Sequence, residues 1–155
     1  SPDYKQAINY DGNSVQGVDV TMPVFNFSET HYFKPSKVST SFKKKIAEMT
    51  GKVNSSSFKG YDKGEVLFLG ASGSRTGTSR KDLWAITFKF AVSPNQSNLK
   101  VGDLNIGKKE GWQYLWVRFA NDVDSSKENL VSKPIGAYVE QVYEYANLRG
   151  LGIGN

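Results

Sequence analysis

The chain has no cysteine and a single histidine, His31. Without thiols there is no disulfide framework, no thiolate nucleophile and no iron–sulfur ligation, and the common structural zinc sites lose their ligand set. One imidazole also leaves Ser-His-Asp chemistry unsupported, because no serine sits in a Gly-x-Ser-x-Gly frame. Ser72, in Gly70-Ala71-Ser72-Gly73, is one residue short of it. Apolar runs extend only a few residues, against the ~20 that a membrane helix needs. Arginine is scarce: of twenty basic residues only Arg75, Arg80, Arg118 and Arg149 carry the bidentate guanidinium that nucleic-acid recognition prefers. The chain opens Ser1-Pro2-Asp3 with no initiating Met and no signal peptide, which predicts a processed form or part of a longer protein.

What is present is 155 residues, 38 % hydrophobic and 23 % charged. That composition and length predict a single β-rich globular domain over residues 1–155. Fifteen Asp and Glu leave a net charge of +5, but the acidic residues are scattered and there is no basic tail. The dense run Lys43-Lys44-Lys45 falls within a helical pattern and reads as a solvated face. No specific nucleic-acid partner and no membrane are expected.

Alternation with period two dominates the pattern. Trp84, Ile86, Phe88 and Phe90 share one face of a strand over 83–90, and Val18, Val20 and Met22 one face of a strand interrupted by Pro23. Residues 65–69 form a short apolar strand that Gly70 ends. Residues 112–119 are apolar on both faces, as in a strand covered by another layer or subunit. A last strand runs over 135–145, with Pro134 at its start. Phe42, Ile46 and Met49 recur at helical spacing, with Ser39, Thr40 or Ser41 as N-cap and Gly51 after the end. The expected fold is mainly β, an antiparallel β-sandwich or barrel-like sheet with one packed amphipathic helix at about 41–50. Residues 125–130 are expected to add a short helical turn.

Four segments invite a chemical reading. A strand through Phe25–Phe33 would put Glu29 and His31 on one face, a carboxylate–imidazole pair; a His tethered among aromatics is the favoured reading. Gly70 to Arg80 is glycine-rich but lacks the Gly-Lys-Ser/Thr of a phosphate loop and leads into a strand, so it reads as a flexible hairpin loop carrying Arg75 and Arg80. Asp122, Asp124, Ser126 and Glu128 alternate as calcium-loop ligands do. Lys127 then stands where the turn glycine belongs, and Lys133 where the bidentate Glu belongs. No catalytic residue, metal site or cofactor is expected, and the chain is read as not an enzyme.

The aromatics, twenty in all, fit either core and subunit interface or a platform for sugar or base stacking. Trp112, Tyr114 and Trp116 are the candidates that would tell these apart. The tail 148–155 sets Leu148, Leu151 and Ile153 between glycines. Such a segment either folds back on its own domain or docks on a neighbour. These six residues, with Arg75 and Arg80, are the candidate interaction set.

Taken together, Phe25–Phe33, Phe58–Arg75 (FKGYDKGEVLFLGASGSR), Trp84–Asn95 (WAITFKFAVSPN), Gly111–Phe119 (GWQYLWVRF) and Lys133–Ile153 resemble a family of uncharacterised phage-derived, virion-type proteins. The resemblance runs roughly from Ile8 to Ile153 and matches the C-terminal part of a longer chain. It brings no active site. It implies a structural role, and the strands apolar on both faces are similar to those of tail-tube proteins that assemble into rings. The expected function is a non-enzymatic assembly module of a virion, joining copies of itself or other structural subunits. Its place would be the virion, or the bacterial cytoplasm before assembly. The alternative is a β-sandwich carbohydrate-binding module.

Overall fold

The computed structural model describes residues 24–75, 77, 81–124 and 129–155. The described residues are mainly β with a single α-helix, and their sheets are open rather than closed into a barrel. The described residues group into two compact units.

The first unit holds 24–94 and 143–155. Its five-stranded sheet is formed by β1 (Phe25–Phe33), β2 (Val53–Asn54), β3 (Val66–Arg75), β4 (Trp84–Val92) and β9 (Tyr145–Ala146), in the order β1-β4-β3-β2-β9. All neighbours are antiparallel except β2 and β9. The alternation read in the sequence sets the register: Phe27 faces Phe90, and Phe90 faces Phe68 on the other side. Ile86, Phe88 and Phe90 are buried, while Trp84 at the strand start is half-buried. The helix α1 (Thr40–Met49) covers this face. Ser39 is its N-cap, its hydroxyl accepting from the Phe42 amide at 3.1 Å. Phe42 is buried and the three lysines are exposed, as expected of the solvated face. Gly51, at φ +82, closes the helix end and donates its amide to Phe68 O at 2.8 Å.

Gly70 does not end β3. At φ +115 it sits in a bulge between Phe68 and Gly70, and pairing with β4 resumes through Arg75, opposite Trp84. The expected flexible loop is therefore strand over 71–75. Glycine there costs backbone entropy, but β4 supplies a complete template, and tertiary pairing overrides the weak local preference.

The second unit, within 95–142, consists of two antiparallel hairpins: β5 (Gln96–Val101) with β6 (Leu104–Lys109), and β7 (Tyr114–Asp124) with β8 (Asn129–Glu140). Gly102-Asp103 closes the first with Gly102 at φ +58, a two-residue turn of the primed kind. Pro134 lies inside β8 rather than at its start, opposite Phe119, where the register shifts between Arg118 and Phe119. An irregularity in the ladder is where a residue without an amide hydrogen fits. Asn129 and Leu130 open β8 instead of forming a helical turn, and Tyr143 lies beyond the strand. The strand expected at 18–22 lies outside the described residues.

Candidate functional site

Of the two courses open to the tail, the structure shows it folded back on its own unit. Leu148 and Leu151 are fully buried and Ile153 nearly so, in the core of the first unit with Phe42, Phe58 and Phe90. They do not form a free arm. The segment turns inward as a 3-10 turn over Leu148–Leu151, capped by the Asn147 side chain, and Gly152 at φ +77 lets it reverse. Arg149 ties it down, its Nε donating to Ser57 O at 3.1 Å and a terminal guanidinium nitrogen meeting Ser57 Oγ at 3.0 Å. Lys59 Nζ donates to Ile153 O. A chain end with three apolar side chains finds its partner in the nearest unfilled core, at no loss of translational freedom, and this favours folding back over docking.

Lys59 also completes the pair foreseen on β1. His31 Nε2 lies 2.8 Å and Lys59 Nζ 3.0 Å from Glu29 Oε1, so one carboxylate oxygen serves both. The imidazole packs edge-on against Phe88 at 6.0 Å between ring centroids. Burial works to raise the Glu29 pKa; the hydrogen bonds and charges of His31 and Lys59 outweigh it and hold the carboxyl below its ordinary value. A depressed carboxyl stabilises the fold fully above the unfolded value of 4.5 and loses that contribution as pH falls through the folded one. Acid unfolding of Glu29→Gln, followed by circular dichroism, is therefore expected to show a shallower loss of stability below pH 4.5 than the parent. An unchanged acid limb would mean that the cluster contributes nothing to the fold.

Two buried polar groups gave no signal in the sequence. Asn54 is fully buried on β2, its amide donating to Ser56 O (2.8 Å) and Asp62 O (2.9 Å) and its carbonyl accepting from the Gly64 (3.1 Å) and Val66 (2.9 Å) amides. It pins the loop before β3 by bonding four of its backbone groups, two of them, the Gly64 and Val66 amides, buried. Lys109, 3 % exposed, donates to Glu110 O (3.1 Å) and Gly111 O (3.0 Å), and burial pushes its ammonium pKa down. Both are fixers of turns rather than groups presented to a ligand. An Asn before Ser-Ser-Ser, and one lysine among twenty basic residues, are ordinary in composition; only the local backbone makes them structural.

The aromatic candidates sit on the β7–β8 hairpin and its approach. Tyr114 and Trp116 share a face, their rings tilted at 6.2 Å, with Leu115 and Val117 buried behind. Tyr114 is 47 % exposed. Trp116 is half-buried and donates through Nε1 to Glu140 on the neighbouring strand, and Tyr138 stands directly across from Trp116. Exposed Arg118 extends the row. Trp112 is half-buried and precedes β7 rather than belonging to it. Arg75 ends β3; Arg80 lies outside the described residues, as do Ser126 and Glu128 of the loop compared with calcium sites.

The first unit presents a different surface at β1. This nine-residue strand ends the sheet order, and among the described residues no strand lies on its outer side. Tyr32 is 68 % and Phe25 60 % exposed along it. Among the described residues no cluster of three His, Cys, Asp or Glu could hold a metal ion, and no helix is long and apolar enough to cross a membrane. In comparisons with protein-family models, with curated proteins and with solved structures, the chain matches none.

Proposed function

We propose that the chain is a non-enzymatic assembly module of a phage-derived structural protein, which joins copies of itself or other subunits by pairing along β1. The observation that supports this is that, among the described residues, no strand covers the outer side of β1. Exposed strand edges offer unpaired amides and carbonyls as a template for another strand, and proteins that avoid such pairing place Lys or Pro there. β1 has neither, and its one carboxylate, Glu29, is paired with Lys59 and hydrogen-bonded to His31. The large side chains Phe25 and Tyr32 stand where an added strand would cover them. The phage-derived origin rests on the resemblance of the sequence segments.

A second reading, glycan binding, is favoured by the Tyr114–Trp116 face, where two rings and an arginine project from one side of a hairpin. One set of variants separates the two. Under the assembly reading the parent is a dimer or larger by light scattering, Phe25→Lys with Tyr32→Lys reduces it to a monomer with little change in melting temperature, and Tyr114→Ala leaves the mass alone. A parent that stays monomeric at its highest soluble concentration overturns self-assembly. If Tyr114→Ala abolishes retention on immobilised polysaccharide while the parent is retained, the platform reading takes its place.

A further inference from the structure

The net charge of the chain has one location. Residues 34–47 hold five lysines, Lys34, Lys37, Lys43, Lys44 and Lys45, and no acid; the rest of the chain holds fifteen basic and fifteen acidic residues and is balanced. All five lie in the first unit, on the turn that leads into α1 and on the first half of that helix, and all are exposed. With about 3.6 residues per turn, Lys43, Lys44 and Lys45 fan across the side of α1 opposite buried Phe42.

Packing holds part of this set in place. Lys37 Nζ lies 5.6 Å from the centroid of the Phe42 ring and Lys43 Nζ 4.9 Å from that of Trp84. Lys44 and Lys45 border one shallow depression together with Thr40 and Ser41. Among the described residues no carboxylate comes within ion-pair distance of any of the five. Glu48 borders the same depression, one turn beyond Lys44, and pairs with neither Lys44 nor Lys45. The lysines also gather at the positive end of the helix dipole, where acids are the usual choice and α1 has none in its first turn. Like charges crowded there repel one another and the dipole, a cost that a bound polyanion relieves.

The surroundings select among polyanions. The exposed neighbours of the lysines are the hydroxyl residues Ser36, Thr40 and Ser41, while α1 turns Phe42, Ile46 and Met49 into the core. A helix that lies on a membrane needs its apolar side free for lipid, and protein interfaces centre on apolar side chains and are depleted in lysine. Phosphate oxygens accept from lysine and hydroxyl donors alike. Lysine in place of arginine, and no exposed ring over 34–48, provide neither base-edge readout nor base stacking. The nucleic acid that fits is therefore paired, and its sequence is not read. A convex helix face suits the wide major groove of B-form DNA and not the deep, narrow one of A-form RNA.

We infer that this surface binds duplex DNA through its phosphate backbone, without sequence preference. The inference is independent of pairing along β1.

The test is the fluorescence anisotropy of short labelled DNA duplexes of two unrelated sequences, titrated with the intact chain over a range of salt. Both should bind with affinities within about twofold of each other, and log affinity should fall with log salt by about 0.9 per phosphate contacted, up to about 4.5 for five lysines. Lys43→Gln, Lys44→Gln and Lys45→Gln together should weaken binding at least about tenfold and flatten that slope by about 2.7. Lys89→Gln, Lys100→Gln and Lys108→Gln together remove the same charge from exposed positions elsewhere and should weaken it less than about threefold. Should the first triple variant fail to fold, Lys44→Glu replaces it and should weaken binding more than Lys44→Gln. No binding at low salt, equal losses in the two triple variants, or a strong preference for one sequence overturns the inference. Tighter binding of duplex RNA or of polyglutamate overturns it too, as does binding to anionic phospholipid vesicles with the duplex left free.

Discussion

Removal of Arg149–Asn155 is expected to lower the melting temperature of the first unit steeply while leaving solution mass at matched concentration unchanged. The deletion takes away Leu151 and Ile153, and burial of each such side chain is worth about 1.5–3 kcal/mol. It also removes the Arg149 bonds to Ser57 and the bond from Lys59 to Ile153 O. A loss of about 3–6 kcal/mol from burial alone is a large part of the ~5–15 kcal/mol that holds a domain. Because the truncated chain risks not folding, Leu151→Ala gives a milder measure, expected to cost about 2–5 kcal/mol in denaturant midpoints. If the truncated chain melts like its parent but loses self-association, the tail is a docking arm after all and its assignment to the core is wrong.

Phe90→Ala is expected to cost about 3–5 kcal/mol. Its ring meets Phe27 at 5.0 Å, Phe68 at 5.3 Å and Phe58 at 5.5 Å between centroids, so three elements lose their common contact at once. Trp84, on the same face of the same strand, is the instructive comparison. The sequence pattern ranks the two alike, yet Trp84 is only half-buried at the strand start, and Trp84→Ala is expected to cost about half as much. Chemical denaturation of both variants decides it: equal costs would mean that Trp84 is packed as tightly as Phe90.

Elements whose cause is local are legible in the sequence. The helix was fixed to within a residue because Ser39, the Phe42-Ile46-Met49 spacing and Gly51 are each legible within a few positions of one another. The central strand was fixed because its alternation is complete, and the Glu29–His31 pair followed from a two-residue offset on one strand. The β5–β6 hairpin, too, has a local signal in Gly102-Asp103. Tertiary structure decided the rest, and in each case the partner is remote in sequence. β3 runs on through glycines because β4 offers a register to pair with, and Pro134 sits within a strand because the ladder shifts opposite it. Asn54 is structural because the chain between Ser56 and Val66 folds around its four bonds. Lys59 joins Glu29 from thirty residues away, and the tail is core because the first unit leaves room beneath α1 for Leu148, Leu151 and Ile153. Pattern reports which face of an element is apolar; what that face meets depends on chain closure over distances that no local period records.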